Sequence, residues 1–252
     1  IGKDILRFHA GIWPAILMGL GLPLPKTLLV HGHISSGGVK MSKSLGNIVD
    51  PNEIIDNYGL DAWRYYFSRH IPTQDDGDFT WEKFEKAYNN ELGNDLGNLV
   101  SRVANMVKRY QSGVIGDIPG DEFDLHNYNS HMRNLEFDKA MDEIWVLVRA
   151  HNQYIENVKP WEIAKLAQTN KDEENHLAEV LAHSVGGILQ IGQMLAPFMP
   201  DTADKIHTIF GSGVIKDEEI GILFPKIYLK TEDPRAAKSQ KMQAKNQTQV
   251  KK

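Results

Sequence analysis

Apolar residues recur at helical spacing over residues 5–20, and Gly19, Gly21, Pro23 and Pro25 then interrupt the run, so a helix followed by a turn is predicted. Residues 27–30 (Thr-Leu-Leu-Val) form a short apolar stretch between Pro25 and Gly32 and read as a buried strand. Helix followed by strand suggests the end of an α/β unit. Glycine, serine and lysine dominate 31–46, which predicts a loop or hairpin. Asp50-Pro51-Asn52-Glu53 has the form of a cap and first helical turn, and short helices follow through Ile54, Ile55, Leu60, Trp63, Tyr66 and Phe67. Gln74-Asp75-Asp76-Gly77-Asp78 reads as a turn and a domain boundary. Beyond it the period stays helical over 84–109, 132–158, 161–167 and 177–195, the pattern of a helix bundle.

In the first bundle helix Leu92, Leu96, Leu99, Val100, Val103, Met106 and Val107 fall on one side of a helical wheel, and Asn94, Asn98, Arg102, Asn105 and Arg109 on the other. The pattern alone makes that polar stripe a solvated face. Asn98 and Arg102, at an i,i+4 step, nevertheless project together and could read a base edge.

Composition narrows the classes. The chain has 252 residues, 41% of them apolar and 24% charged, which is ordinary for one or two globular domains. Its net charge of -5 excludes a globally basic nucleic-acid binder. The charge is uneven: 230–252 carries seven basic and two acidic residues, so the tail is +5 and the remainder -10. That tail is rich in Lys, Gln, Ala and Ser and is expected to be a disordered linker or terminus. With no cysteine, disulfides, thiolate catalysis and Cys-ligated metal sites are excluded. The most apolar stretch, 12–30, is broken by Pro14, Pro23 and Pro25 and does not read as a membrane span. The chain starts at Ile1 with no signal-peptide pattern and is expected to begin inside a longer protein.

The most specific string is Lys40-Met41-Ser42-Lys43-Ser44, preceded by Gly37-Gly38 and followed by Leu45-Gly46-Asn47. Two lysines three apart on a glycine-flanked loop can both face a polyphosphate, with serine hydroxyls and loop N–H groups as further donors. The pentapeptide matches the signature loop of class I aminoacyl-tRNA synthetases. Gly2-Lys3-Asp4-Ile5-Leu6-Arg7-Phe8-His9 with Trp13-Pro14-Ala15, His31-Gly32-His33, Asp61-Ala62-Trp63-Arg64-Tyr65-Tyr66, Asp76-Gly77-Asp78-Phe79, the run from Asn94 to Arg102, Lys159-Pro160-Trp161 and Leu223-Phe224-Pro225 are, in that order, similar to the methionyl-tRNA synthetase family. The resemblance covers about residues 1–227.

It implies a mainly α fold: the tail end of a Rossmann-type α/β catalytic domain (1–35), a signature-loop and stem-contact segment (36–80), a helical-bundle anticodon-binding domain (81–228) and the basic tail (229–252). The implied activity is ATP-dependent activation of methionine to methionyl-adenylate, then transfer to initiator and elongator tRNA with a CAU anticodon, in the cytoplasm. Lys40 and Lys43 are the implied catalytic contacts to ATP phosphates. Gly2, Asp4, His31, Met41, Ser42 and Ser44 join them in the ATP site, and Ile5, His9 and Trp13 line the methionine pocket. Asn98, Arg102 and Trp161 read the anticodon. Mg²⁺ arrives with ATP, so no protein metal ligands are expected.

The second class I signature, a His-Ile-Gly-His-type string, is not found. His31-Gly32-His33-Ile34 shares its letters but lies just ahead of Lys40 and lacks the order. The chain is therefore expected to need the N-terminal half of the same enzyme and to be inactive alone. The alternatives are a non-catalytic tRNA-binding module with a vestigial loop, or a fragment of another class I synthetase.

Overall fold

A computed structural model describes residues 1–42, 44–118, 124–216 and 219–227; Lys43 and the tail at 229–252 lie outside the described residues. The helix expected over 5–20 is present. It starts as a 3₁₀ turn at Lys3–Ile5, passes through a π-helical stretch at Phe8–Ile12 and ends as α1 (Trp13–Gly19).

The strand expected at 27–30 is absent. Its backbone lies beside the first residues only: the Ile1 amino group donates to the Leu29 carbonyl at 2.8 Å, and Gly2 and His31 form a single parallel bridge. A strand exists through its ladder partners, and among the described residues no second extended segment lies beside this one.

The hairpin expected over 31–46 forms as β1 (Ile34–Ser36) and β2 (Val39–Lys40), antiparallel, with Ser35 opposite Lys40. Gly37 and Gly38 make its turn with φ of 64° and 75°, a left-handed geometry that side-chain-bearing residues rarely adopt. The acidic turn at 74–78 leads into β3 (Gly77–Phe79), which pairs in parallel with β1, Ile34 opposite Gly77 and Ser36 opposite Phe79. The signature loop is thus tied to a segment some forty residues downstream.

Asp50 caps α2 (Pro51–Tyr58), its carboxylate accepting from the Asn52 N–H at 2.9 Å, and α3 (Leu60–Arg69) follows. The helix expected over 84–109 is continuous through α4 (Trp81–Ala87), a π-helical stretch (Tyr88–Gly97) and α5 (Asn98–Gln111). Its apolar stripe is buried, Met106 partly so, and Asn94, Asn98, Asn105 and Arg109 are exposed. Then come α6 (His126–Arg133), α7 (Phe137–Val158), α8 (Pro160–Leu166), α9 (Lys171–Leu195) and α10 (Pro200–Phe210). The central α9 packs against α5, α7, α8 and α10. One buried cluster runs from Ile54, Tyr66 and Phe79 through Leu92 and Trp145 to Ile188 and Phe224, so the hairpin side and the bundle share a core. Asp61 of α3 accepts from both the N–H and the hydroxyl of Thr202, at 2.6 and 2.7 Å, and so satisfies the first turn of α10.

Candidate functional site

The signature loop is held by a residue to which the sequence alone assigned no role. Asn47 is buried; its Oδ1 accepts from the Ser42 N–H at 2.8 Å, and its Nδ2 donates to the Lys40 and Val39 carbonyls at 3.2 and 3.4 Å. Ser42 and Ser44 hydroxyls lie 3.1 Å apart, and Ser42 Oγ also accepts from the Leu45 N–H. Met41 packs against the core while Lys40 stays exposed. The loop is therefore pinned from its inner side, with Lys40 left to solvent.

Asp78 does the same for the hairpin. Its Oδ1 accepts from the Gly38 N–H at 2.7 Å and the Ser35 hydroxyl at 2.9 Å, and its Oδ2 from Lys83 at 2.9 Å. Partial burial pushes this carboxyl up, but the bonds from Gly38, Lys83 and Ser35 outweigh it and hold it below the usual range. Asp76 pairs with Lys3 and accepts from the His33 N–H at 2.7 Å, fastening the opening segment to the same turn.

Gly2, Asp4 and His31 come together. A Cβ on Gly2 would stand 2.8 Å from Asp4 Oδ1 and 3.8 Å from His31 Cε1, so glycine keeps that corner open. Ile5, His9 and Trp13 also adjoin: His9 Nδ1 lies 3.1 Å from the Ile5 carbonyl, and its ring meets Trp13 edge to face at 6.0 Å. Ile5 and Trp13 are each 40% exposed. No hydrogen bond or ring contact among the described residues joins this trio to Lys40, Met41 or Ser42.

At the other end, Asn98 opens α5 and is exposed, and Arg102 follows one turn later. Arg102 Nη2 pairs with Glu156 Oε1 of α7 at 2.8 Å, and its guanidinium carbon lies 5.8 Å from the Trp161 ring centroid. Lys159 ends α7 in a left-handed conformation (φ 52°), Pro160 is the first residue of α8, and Trp161 emerges partly buried against the core. The fold thus joins Arg102 and Trp161, far apart in the chain, on one edge. Among the described residues no group of three or more His, Asp or Glu is placed to hold a metal ion, and no helix is long and apolar enough to cross a membrane.

Residues 1–104 match the family model for class I tRNA synthetases (M), and residues 120–219 match that for the anticodon binding domain of methionyl tRNA ligase. The chain belongs to the methionyl-tRNA synthetase family. It is 41% identical to the methionine–tRNA ligase of Caldanaerobacter subterraneus subsp. tengcongensis over 84% of its own length and 34% of the relative's. It is 42% identical to methionine–tRNA ligase 1 of Bacillus anthracis over 84% of its length and 35% of that protein. It thus spans about a third of the length of these relatives. The structure of Mycobacterium tuberculosis methionyl-tRNA synthetase bound by methionyl-adenylate superposes with a TM-score of 0.76 at 29% identity, covering 90% of this chain and 48% of that one. Its free state superposes with 0.77 at 25% identity, covering 91% and 49%. Asn98 and Arg102 fall in the first family match and Trp161 in the second, so the paired edge joins the two matched regions.

Proposed function

We propose that this chain is the rear portion of a methionine–tRNA ligase, which binds tRNA and supplies the signature loop to an active site completed by the N-terminal half of the same enzyme. The reading assigns 1–35 to the end of the catalytic domain, 36–80 to the loop and stem-contact segment, 81–228 to the anticodon-binding bundle and 229–252 to a linker. The observation that carries it is the Arg102–Trp161 pair beside exposed Asn98. An indole and a guanidinium present faces on which an unstacked base can lie, and the Asn98 amide can bond its edge. Initiator and elongator methionine tRNAs share the CAU triplet and would use this edge alike. Glu156 holds the guanidinium in place beforehand, which lowers the ordering cost of binding.

At the catalytic end, Lys40 and Lys43 meet the ATP phosphates as negative charge develops in adenylate formation. A loop anchored by Asn47 and Asp78 with Lys40 exposed can spend its binding energy on the transition state. Asp4, with Gly2 and His31, accepts from the ribose hydroxyls, and Ile5, His9 and Trp13 meet the thioether of methionine. Mg²⁺ enters with ATP, held by phosphate and water. The opening helix exposes Phe8, Ile12, Ile16, Met18 and Leu20, Met18 at 68%, an apolar surface that the N-terminal half covers. The assembled enzyme acts in the cytoplasm.

Two variants of the complete enzyme test this. Lys43→Ala should lower ATP–pyrophosphate exchange about a hundredfold or more while tRNA binding stays nearly unchanged. Trp161→Ala should do the reverse, sparing exchange and weakening aminoacylation of CAU-bearing tRNA. Equal loss of both activities in either variant would overturn the assignment.

A further inference from the structure

The polar stripe of α5 does not stop at Arg102. Asn98, Arg102, Asn105 and Arg109 share one face, and Arg109 lies about 10 Å beyond Arg102 along the axis, a distance of one or two nucleotides. There the surface opens into a groove of about 510 Å³ between the end of α5, the turn after α8 and the start of α9, a size typical of ligand sites. Arg109, Tyr110 and Gln111 line one wall, and Gln168, Glu174 and Asn175 the other.

Three features of this groove point to a base. The Arg109 guanidinium carbon lies 5.7 Å from the Tyr110 ring centroid, so the Arg–aromatic pairing of Arg102 and Trp161 is repeated two turns along the same helix. Three carboxamides, Gln111, Gln168 and Asn175, converge on one groove, and amides match base edges because each both donates and accepts. Arg109 is offset by Glu174, which leaves the groove without the net positive charge that a phosphate site would need. In addition, Gln111 Oε1 is buried without a hydrogen-bond partner. The free protein carries that unmade bond as a cost, and turning the amide toward a base in the groove would relieve it.

We propose that this groove is a second nucleotide subsite, which takes a base of the anticodon loop next to the triplet, stacks it against Tyr110 and Arg109 and bonds it through Gln111. The proposal rests on the anticodon-binding reading above and extends it beyond the triplet.

The test is binding of this chain, at one fixed salt concentration, to a hairpin RNA of anticodon-arm length with CAU in its loop. Companion hairpins carry an abasic nucleotide immediately 5′ or 3′ of the triplet. Gln111→Leu should bind the intact hairpin roughly five- to tenfold more weakly, the size of one base contact. On one of the two abasic hairpins it should bind as well as the unaltered chain. Its thermal midpoint should hold or rise, since a buried unpaired oxygen is removed. Arg109→Ala should show the same pattern. Unchanged affinity for the intact hairpin, or a loss that persists on both abasic hairpins, overturns the subsite and leaves the anticodon reading standing. If the unaltered chain binds no hairpin, both readings fall.

Discussion

Asn47 shows what a single side chain contributes to the loop. Its amide closes three backbone groups of the signature segment at once, from a position only 5% exposed. Asn47→Ala would leave the Ser42 N–H and the Lys40 and Val39 carbonyls without these bonds, a cost of about 1–3 kcal/mol at the loop. In the complete enzyme we expect adenylate formation to slow with the KM for methionine unchanged, together with faster amide exchange over 40–47. Unaltered exchange kinetics in the loop would contradict the anchoring role. The loop itself stood out in the sequence because its Lys-Met-Ser-Lys-Ser string matches a family signature. Asn47 was visible only as the letter after Gly46. Its importance comes from burial, which composition and spacing do not report.

Among the elements, helices with a broad apolar stripe were legible and the others were not. The stripes of α5, α7 and α9 are buried as their periods predict. The helix α6 buries only Tyr128 and left little pattern to find. The helix α10 was missed although Pro200 at its start and buried Ile206, Ile209 and Phe210 carry a signal. Residues 27–30 looked like a strand by composition, yet a strand needs a neighbour, and the short apolar run could not say whether one was there. Helix contacts also decide the sign of a substitution. Gly187 lies inside α9, where alanine would ordinarily stabilise by about 1 kcal/mol. Here the new Cβ would fall 2.0 Å from His151 Cε1 and Nε2, a buried ring of α7. Overpacking of that kind costs about 1–3 kcal/mol, so Gly187→Ala should lower the denaturation midpoint. Gly11→Ala, which meets nothing within 4 Å, should not lower it.

For the molecule as a whole, buried imidazoles set the response to acid. Burial, aided by His183, pushes His151 down to about 4, and burial with the Arg69 charge does the same to His70. Both stay neutral in the fold while the unfolded chain takes up protons below about 6.5, so stability falls as pH drops from about 6.5 toward 4. Glu91 acts the other way. Burial and the nearby Asp95 raise it to about 7, so its contribution is lost as pH rises from about 4.5 to 7. Asp95, also raised by burial, acts in the same direction as Glu91, so the test isolates one histidine: His151→Leu should make the fall toward acid shallower in a series of thermal midpoints against pH while His70 retains its share. A slope unchanged by that variant would show that His151 does not titrate with unfolding. The sequence by itself determined the helical periods, the glycine-turned hairpin and the family, because each is written in spacing along a few neighbouring residues. Only the tertiary structure decided that Arg102 pairs with Glu156, that Asp76 and Asp78 fasten the opening segment and hairpin to β3, and that a polar groove continues past Arg109. Those juxtapositions join residues far apart in the chain, and which of them form depends on how whole helices pack, a quantity that no local stretch of sequence contains.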